Sequence, residues 1–173
     1  MKHIFNIVLL LVCISSFSQE KNSFLVGKWK IISIETHLMS YNTITDSLSY
    51  SKEFEKLIPG IISKYKDKYK NMDSFNEYNK KQNSNNFFVF KEDGVYLRIT
   101  DNKSTTEGKY NIIPSKQIIK FSFKSSRDKI EKNSMKYSVQ DENLYLTLTF
   151  DDIKGKKIKP TNFILKKKQL IKD

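Results

Sequence analysis

Asp151-Asp152, followed closely by Lys154-Gly155, has the residue types of an acid pair or of a calcium loop. A calcium loop spaces its oxygens at alternate positions, and this stretch does not, while neighbouring acids beside a glycine are ordinary turn chemistry. The two histidines are His3 and His37, and the single cysteine is Cys13. With the N-terminal leader set aside, His37 stands alone, and a His/Cys metal site or a Cys–His dyad cannot be assembled. A Ser-His-Asp triad would have to use His37, and no Gly-x-Ser-x-Gly elbow accompanies it. Five scattered glycines make no phosphate cradle. These residues point away from catalysis and call for no metal and no cofactor.

The first eighteen residues, MKHIFNIVLLLVCISSFS, have a positive start at Lys2, an apolar stretch from Ile4 to Ile14, and the small residues Ser16 and Ser18. That is the layout of a secretory signal peptide cleaved after Ser18, and the apolar stretch is shorter than the roughly 20 residues of a spanning helix. Cys13, at the end of LLVC, resembles a bacterial lipoprotein box in which Val12 replaces the usual small residue. Lipid anchoring through Cys13 is therefore the alternative to release into the periplasm or medium. Residues 19–173 are of one-domain size, with no cysteine left for a disulfide.

The formal charge is +12, yet only Arg98 and Arg127 among the 31 basic residues are arginines. Base and phosphate recognition favours the arginine fork, so nucleic acid is not the expected partner. General attraction to anionic envelope surfaces is compatible with so many lysines.

The elements that would position any site are mostly strands. From Phe87 onward short apolar–polar alternation is broken by turn signals: NFFVF and VYLRIT around Asp93-Gly94, EGKYNII ending at Pro114, KQIIKFSFK, MKYSVQ and LYLTLTF around the turn DEN, then TNFILKK. With one earlier strand from Phe24 to about Leu38 these make eight, the number at which an antiparallel meander closes into a barrel. Between the first two strands, Phe54, Ile58, Ile61, Ile62, Tyr65, Tyr69 and Met72 form an amphipathic helical stripe over about 50–72, interrupted at Pro59-Gly60. The polar run that follows, about 73–86, reads as a mobile loop. If Trp29 points inward, strict alternation sends Ile32 and Ile34 outward, and the helical stripe needs cover from either the barrel mouth or the outer wall.

Gly27-Lys28-Trp29 at the mouth of the first strand, Phe90 to Tyr96 around Asp93-Gly94, Gly108-Lys109-Tyr110, and a final hydrophobic strand together resemble the lipocalin-like exported proteins of bacterial envelopes. The resemblance implies an eight-stranded up-and-down barrel in which Gly27 bends the chain and Trp29 plugs the closed end near Phe163 or Leu165. It also implies a basic residue beyond the last strand packed over the Trp, where this chain offers Lys166, Lys167 and Lys168. Function follows the same line: a monomer holding a small hydrophobic or amphipathic ligand. The inward positions Phe88, Phe90, Tyr96, Tyr110, Phe121, Tyr137 and Leu146 are the candidate contacts. The alternative is an envelope interaction or structural module whose barrel is filled by its own side chains, since seven strand-borne rings (the six just named and Phe123) of roughly 150–250 Å² each leave little room.

Overall fold

The computed structural model describes residues 24–100, 104–125, 128–149 and 159–168. Ten strands and three helices lie among them, in the order β1 (Gly27–Glu35), β2 (Met39–Asn42), β3 (Ser47–Tyr50), α1 (Lys52–Glu55), α2 (Ile58–Lys64), α3 (Met72–Ser84), β4 (Phe87–Phe90), β5 (Val95–Thr100), β6 (Ser104–Ile113), β7 (Ile118–Lys124), β8 (Ile130–Gln140), β9 (Asn143–Leu148) and β10 (Thr161–Lys167). Strands β4 to β10 run as an antiparallel meander, and β10 pairs with β1. With β1 also paired to β4, eight strands close into a barrel and no long edge is left bare.

Turn chemistry sets the meander. Gly94 takes a positive φ of 78° between β4 and β5, and Asp93 Oδ1 accepts the Val95 N–H at 3.0 Å. Pro114 stops β6 and opens a short 3-10 turn to Lys116. Inside, alternation delivers, among the described residues, one core of fifteen buried side chains that includes Leu25, Trp29, Ile112, Ile119, Met135, Leu144, Phe163 and Leu165.

Strict alternation fails at one point on β1. The pairing with β10 runs Ile31 opposite Leu165 and then Ser33 opposite Ile164, so Ile32 is an extra residue in a β-bulge. Beyond it the faces exchange: Ile34 lies opposite the buried Phe163 and packs against the core, not outward as alternation from Trp29 demands. The neighbouring strand changes at the same place. Below the bulge β1 pairs with β4, from Gly27 to Lys30, and above it with β2, from Ser33 to Glu35. The Ile32 carbonyl accepts from Thr43 N at 2.9 Å, and Ile31 N–H donates to the Asn86 carbonyl at 2.9 Å.

The segment between β1 and β4 differs from its sequence reading in two ways. It begins with the β2–β3 hairpin, and its polar run forms α3, the longest helix among the described residues, in place of the expected loop over 73–86. Asn71 caps α3 reciprocally with Ser74: the Asn71 side chain accepts from Ser74 N, and Ser74 Oγ accepts from Asn71 N. The amphipathic stripe breaks into α1 and α2 at Lys56 and Leu57, and its helical part ends at Lys64. Neither the mouth nor the wall covers it. Ile58, Tyr69 and Phe75 make a second small core with Tyr50, Phe54, Ile61, Ile62 and Tyr78 around them. Tyr69 meets Phe75 edge-on, with ring centroids 5.0 Å apart. Lys80 of α3 reaches Asp46 at the hairpin turn, 2.6 Å away.

Candidate functional site

The closed end is built as a plug. Trp29 is 3% exposed, in one cluster with Phe163 and Leu165, and its Nε1 donates to the Leu25 carbonyl at 2.7 Å. Lys167, opposite Trp29 in the β1–β10 register, holds its ammonium 5.5 Å from the indole and donates to the Phe24 carbonyl at 3.3 Å. Phe24 in turn stacks on Tyr137. Gly27, with φ at 130°, turns the chain into β1 beneath this cover.

Above the plug, six of the seven candidate contact residues converge. Phe88, Phe90, Tyr96, Tyr110, Phe121 and Leu146 are all buried in the barrel core, while Tyr137 is half-buried at the closed end against Phe24. Their rings meet each other: Phe90 with Tyr110 at 5.1 Å, Tyr96 with Phe121 at 4.9 Å, Phe88 with Phe90 at 5.9 Å. Burial raises the Tyr96 and Tyr110 phenols above their ordinary pKa. The Tyr110 hydroxyl is satisfied by donating to the Lys91 carbonyl at 2.8 Å. These residues make a solid aromatic floor.

The inner wall changes character above that floor. Arg98 follows Tyr96 by two positions, pairs with the buried Phe88 across β4–β5, and so belongs to the inner face. Its guanidinium carbon lies over the Phe88 ring, 6.0 Å from the centroid. Thr106 stands opposite Arg98, Asn133 opposite Phe121 and Glu131 opposite Phe123, all on the same face by register. Arg98, Asn133 and Glu131 are nonetheless exposed. Solvent reaches inward-pointing side chains here, so core packing stops below this level. Ser125, at the end of β7, buries a hydroxyl that has no hydrogen-bond partner among the described residues. Arg98 has its pKa lowered by burial, an effect opposed in part by Tyr96.

The outer wall carries a different feature. Because Tyr110, Phe121 and Asn133 turn inward, their backbones form a bare strip across β6, β7 and β8, flanked by Lys109, Ser122 and Lys132 on one side and Asn111, Lys120 and Ser134 on the other. The resulting groove has a volume of about 630 Å³.

His37 is exposed in the turn after β1. No group of His, Cys, Asp and Glu side chains among the described residues is arranged to hold a metal ion. Asp151-Asp152, Lys154-Gly155 and the leader with Cys13 lie outside the described residues. No helix among those described is long and apolar enough to cross a membrane. Two features escaped the sequence reading. Arg98 had a usable signal, since alternation from Tyr96 places it inside; the lysine groove had one too, in the outward phase of KQIIKFSFK.

No protein-family model matches the chain, and no curated protein matches it.

Proposed function

We propose that this chain is an exported, lipocalin-like protein that binds a small hydrophobic or amphipathic molecule at the top of its barrel. The observation that supports this reading is the step along the inner wall, from fully buried aromatic rings to the solvent-reached Arg98, Asn133 and Glu131. A ligand with an apolar body and a polar end complements such a wall, with the body resting on the floor and the end among these side chains. The floor residues then act mainly by holding the cup's shape, and direct contacts fall to its upper ring.

The test uses a neutral apolar fluorophore, N-phenyl-1-naphthylamine, whose emission rises on leaving water. The wild-type protein should bind it, and Thr106→Trp, which fills the cup from β6, should weaken binding by about tenfold or more with the melting temperature unchanged. Native mass spectrometry of protein from its own host then identifies what co-purifies. N-terminal sequencing settles export: a start at Gln19 or Glu20 fits secretion, and a lipid-modified Cys13 fits anchoring.

A second reading is an envelope interaction module working through its outer wall, and the groove edged by Lys109, Lys120 and Lys132 supports it. Juxtaposed lysines are attracted to anionic lipid by about 1 kcal/mol each. Replacing all three by Gln should then abolish sedimentation with phosphatidylglycerol vesicles and leave fluorophore binding intact.

A further inference from the structure

Building on the cup reading above, we propose that Arg98 anchors the ligand's head group, and that this head is a single carboxylate on an apolar chain. Arg98 is placed on the inner face by its register with Phe88 and Thr106, and its guanidinium lies over the Phe88 ring. Among the described residues no hydrogen bond or ion pair engages it. The guanidinium is reached by solvent from the open side, so its five donors are available to an incoming head group. Folding does not require Arg98, because the neighbouring inward positions are served by Phe, Tyr and Thr.

The charges on the described inner wall also bear on the head group. A carboxylate matches the guanidinium fork with two parallel hydrogen bonds, and stacking on Phe88 holds that fork toward the open side. Arg98 is the only cation on the described inner wall above the floor, and the same wall carries Glu131. A doubly charged head such as a phosphate monoester would face one cation and one like charge, so a monoanion fits better. Phe88 and the rest of the aromatic floor are packed on each other beneath the guanidinium, so a hydrocarbon chain would lie across the top of the floor and not within it.

Laurate and dodecanol share a chain and differ in the head, so their competition against N-phenyl-1-naphthylamine isolates the anchor. Wild-type protein should bind laurate about 10- to 100-fold tighter than dodecanol, the range for a hydrogen bond to a charged group. Arg98→Met keeps the apolar stem, and should erase that preference with the melting temperature little changed. Arg98→Lys should keep part of the preference, and covers the case in which the methionine variant does not fold. Equal binding of the two ligands by the wild type, or a preference that survives in Arg98→Met, overturns the anchor and leaves the cup standing. Failure of the fluorophore and both chain ligands to bind overturns the cup and the anchor together.

Discussion

Lys167 crosses directly over Gly27 to reach Trp29: a β-carbon at Gly27 would stand 3.0 Å from Lys167 Cε. Glycine, tryptophan and lysine therefore form one device at the closed end, the lysine supplied by β10. Gly27→Ala must adopt a φ of 130°, a strain of about 1–3 kcal/mol, and shift the lysine against the indole. Because Trp29 is the only tryptophan, its fluorescence reads the event directly. The expected result is a lower urea midpoint with a shifted emission maximum, and Lys167→Met should reproduce the spectral shift with a smaller loss of stability.

Gly108 is the tighter glycine. An added β-carbon would collide with the Ser122 carbonyl oxygen, sit 2.6 Å from Tyr96 Cε1 and 2.9 Å from Phe123 Cβ. Two of these three obstacles are backbone or the root of a side chain and cannot swing away. Gly108→Ala should cost at least the upper end of the usual range for overpacking, about 1–3 kcal/mol. Urea unfolding measures it, and a neutral result would mean that the Tyr96 ring does not lie over β6.

The turn between β8 and β9 holds Asp141 and Glu142 at φ of 48° and 64°, the signature of a type I′ turn made without its preferred residues. The double variant Asp141→Asn, Glu142→Gly should stabilise the protein by about 1 kcal/mol, part of the left-handed strain being returned and part lost to the freer unfolded chain. Thermal melts of the single and double variants check it, with most of the gain expected from Glu142→Gly.

The helical insertion closes on its own small core, so its stability should separate from that of the barrel. Phe75→Ala removes the ring that touches both Tyr69 and Tyr50. Hydrogen exchange should accelerate across 52–84 and stay unchanged in β5 to β9. Acceleration throughout the barrel would show that the insertion braces it after all.

The barrel was legible because its strands announce themselves twice, by period-two alternation and by Asp93-Gly94, Pro114 and the Asp141 turn. The hairpin β2–β3 was not, since strands of four residues alternating with Ser40, Ser47 and Ser49 carry almost no hydrophobic signal. Helix α3 was hidden by Asn, Lys and Gln; its readable mark was the Asn71-x-x-Ser74 cap, with Phe75 and Tyr78 three apart behind it. Missing that helix also left the α1–α2 stripe without its true cover. Alternation put six of the seven candidate residues in the buried core, but it says which way a side chain points and not how high in the barrel the packing ends. That height separates Tyr96 from Arg98.

The bulge at Ile32 acts as a change of reading phase in the third dimension. Residues before it are written in one parity, with Trp29 and Ile31 inside, and residues after it in the other, with Ile34 inside. The handover of β1 from β4 to β2 falls on the same joint. Flattening the bulge while keeping Ile32 would be a frameshift of structure without being one of sequence: every chemical group past Ile31 would survive, each facing the wrong way, with the hairpin and helices carried along by the strand that holds them.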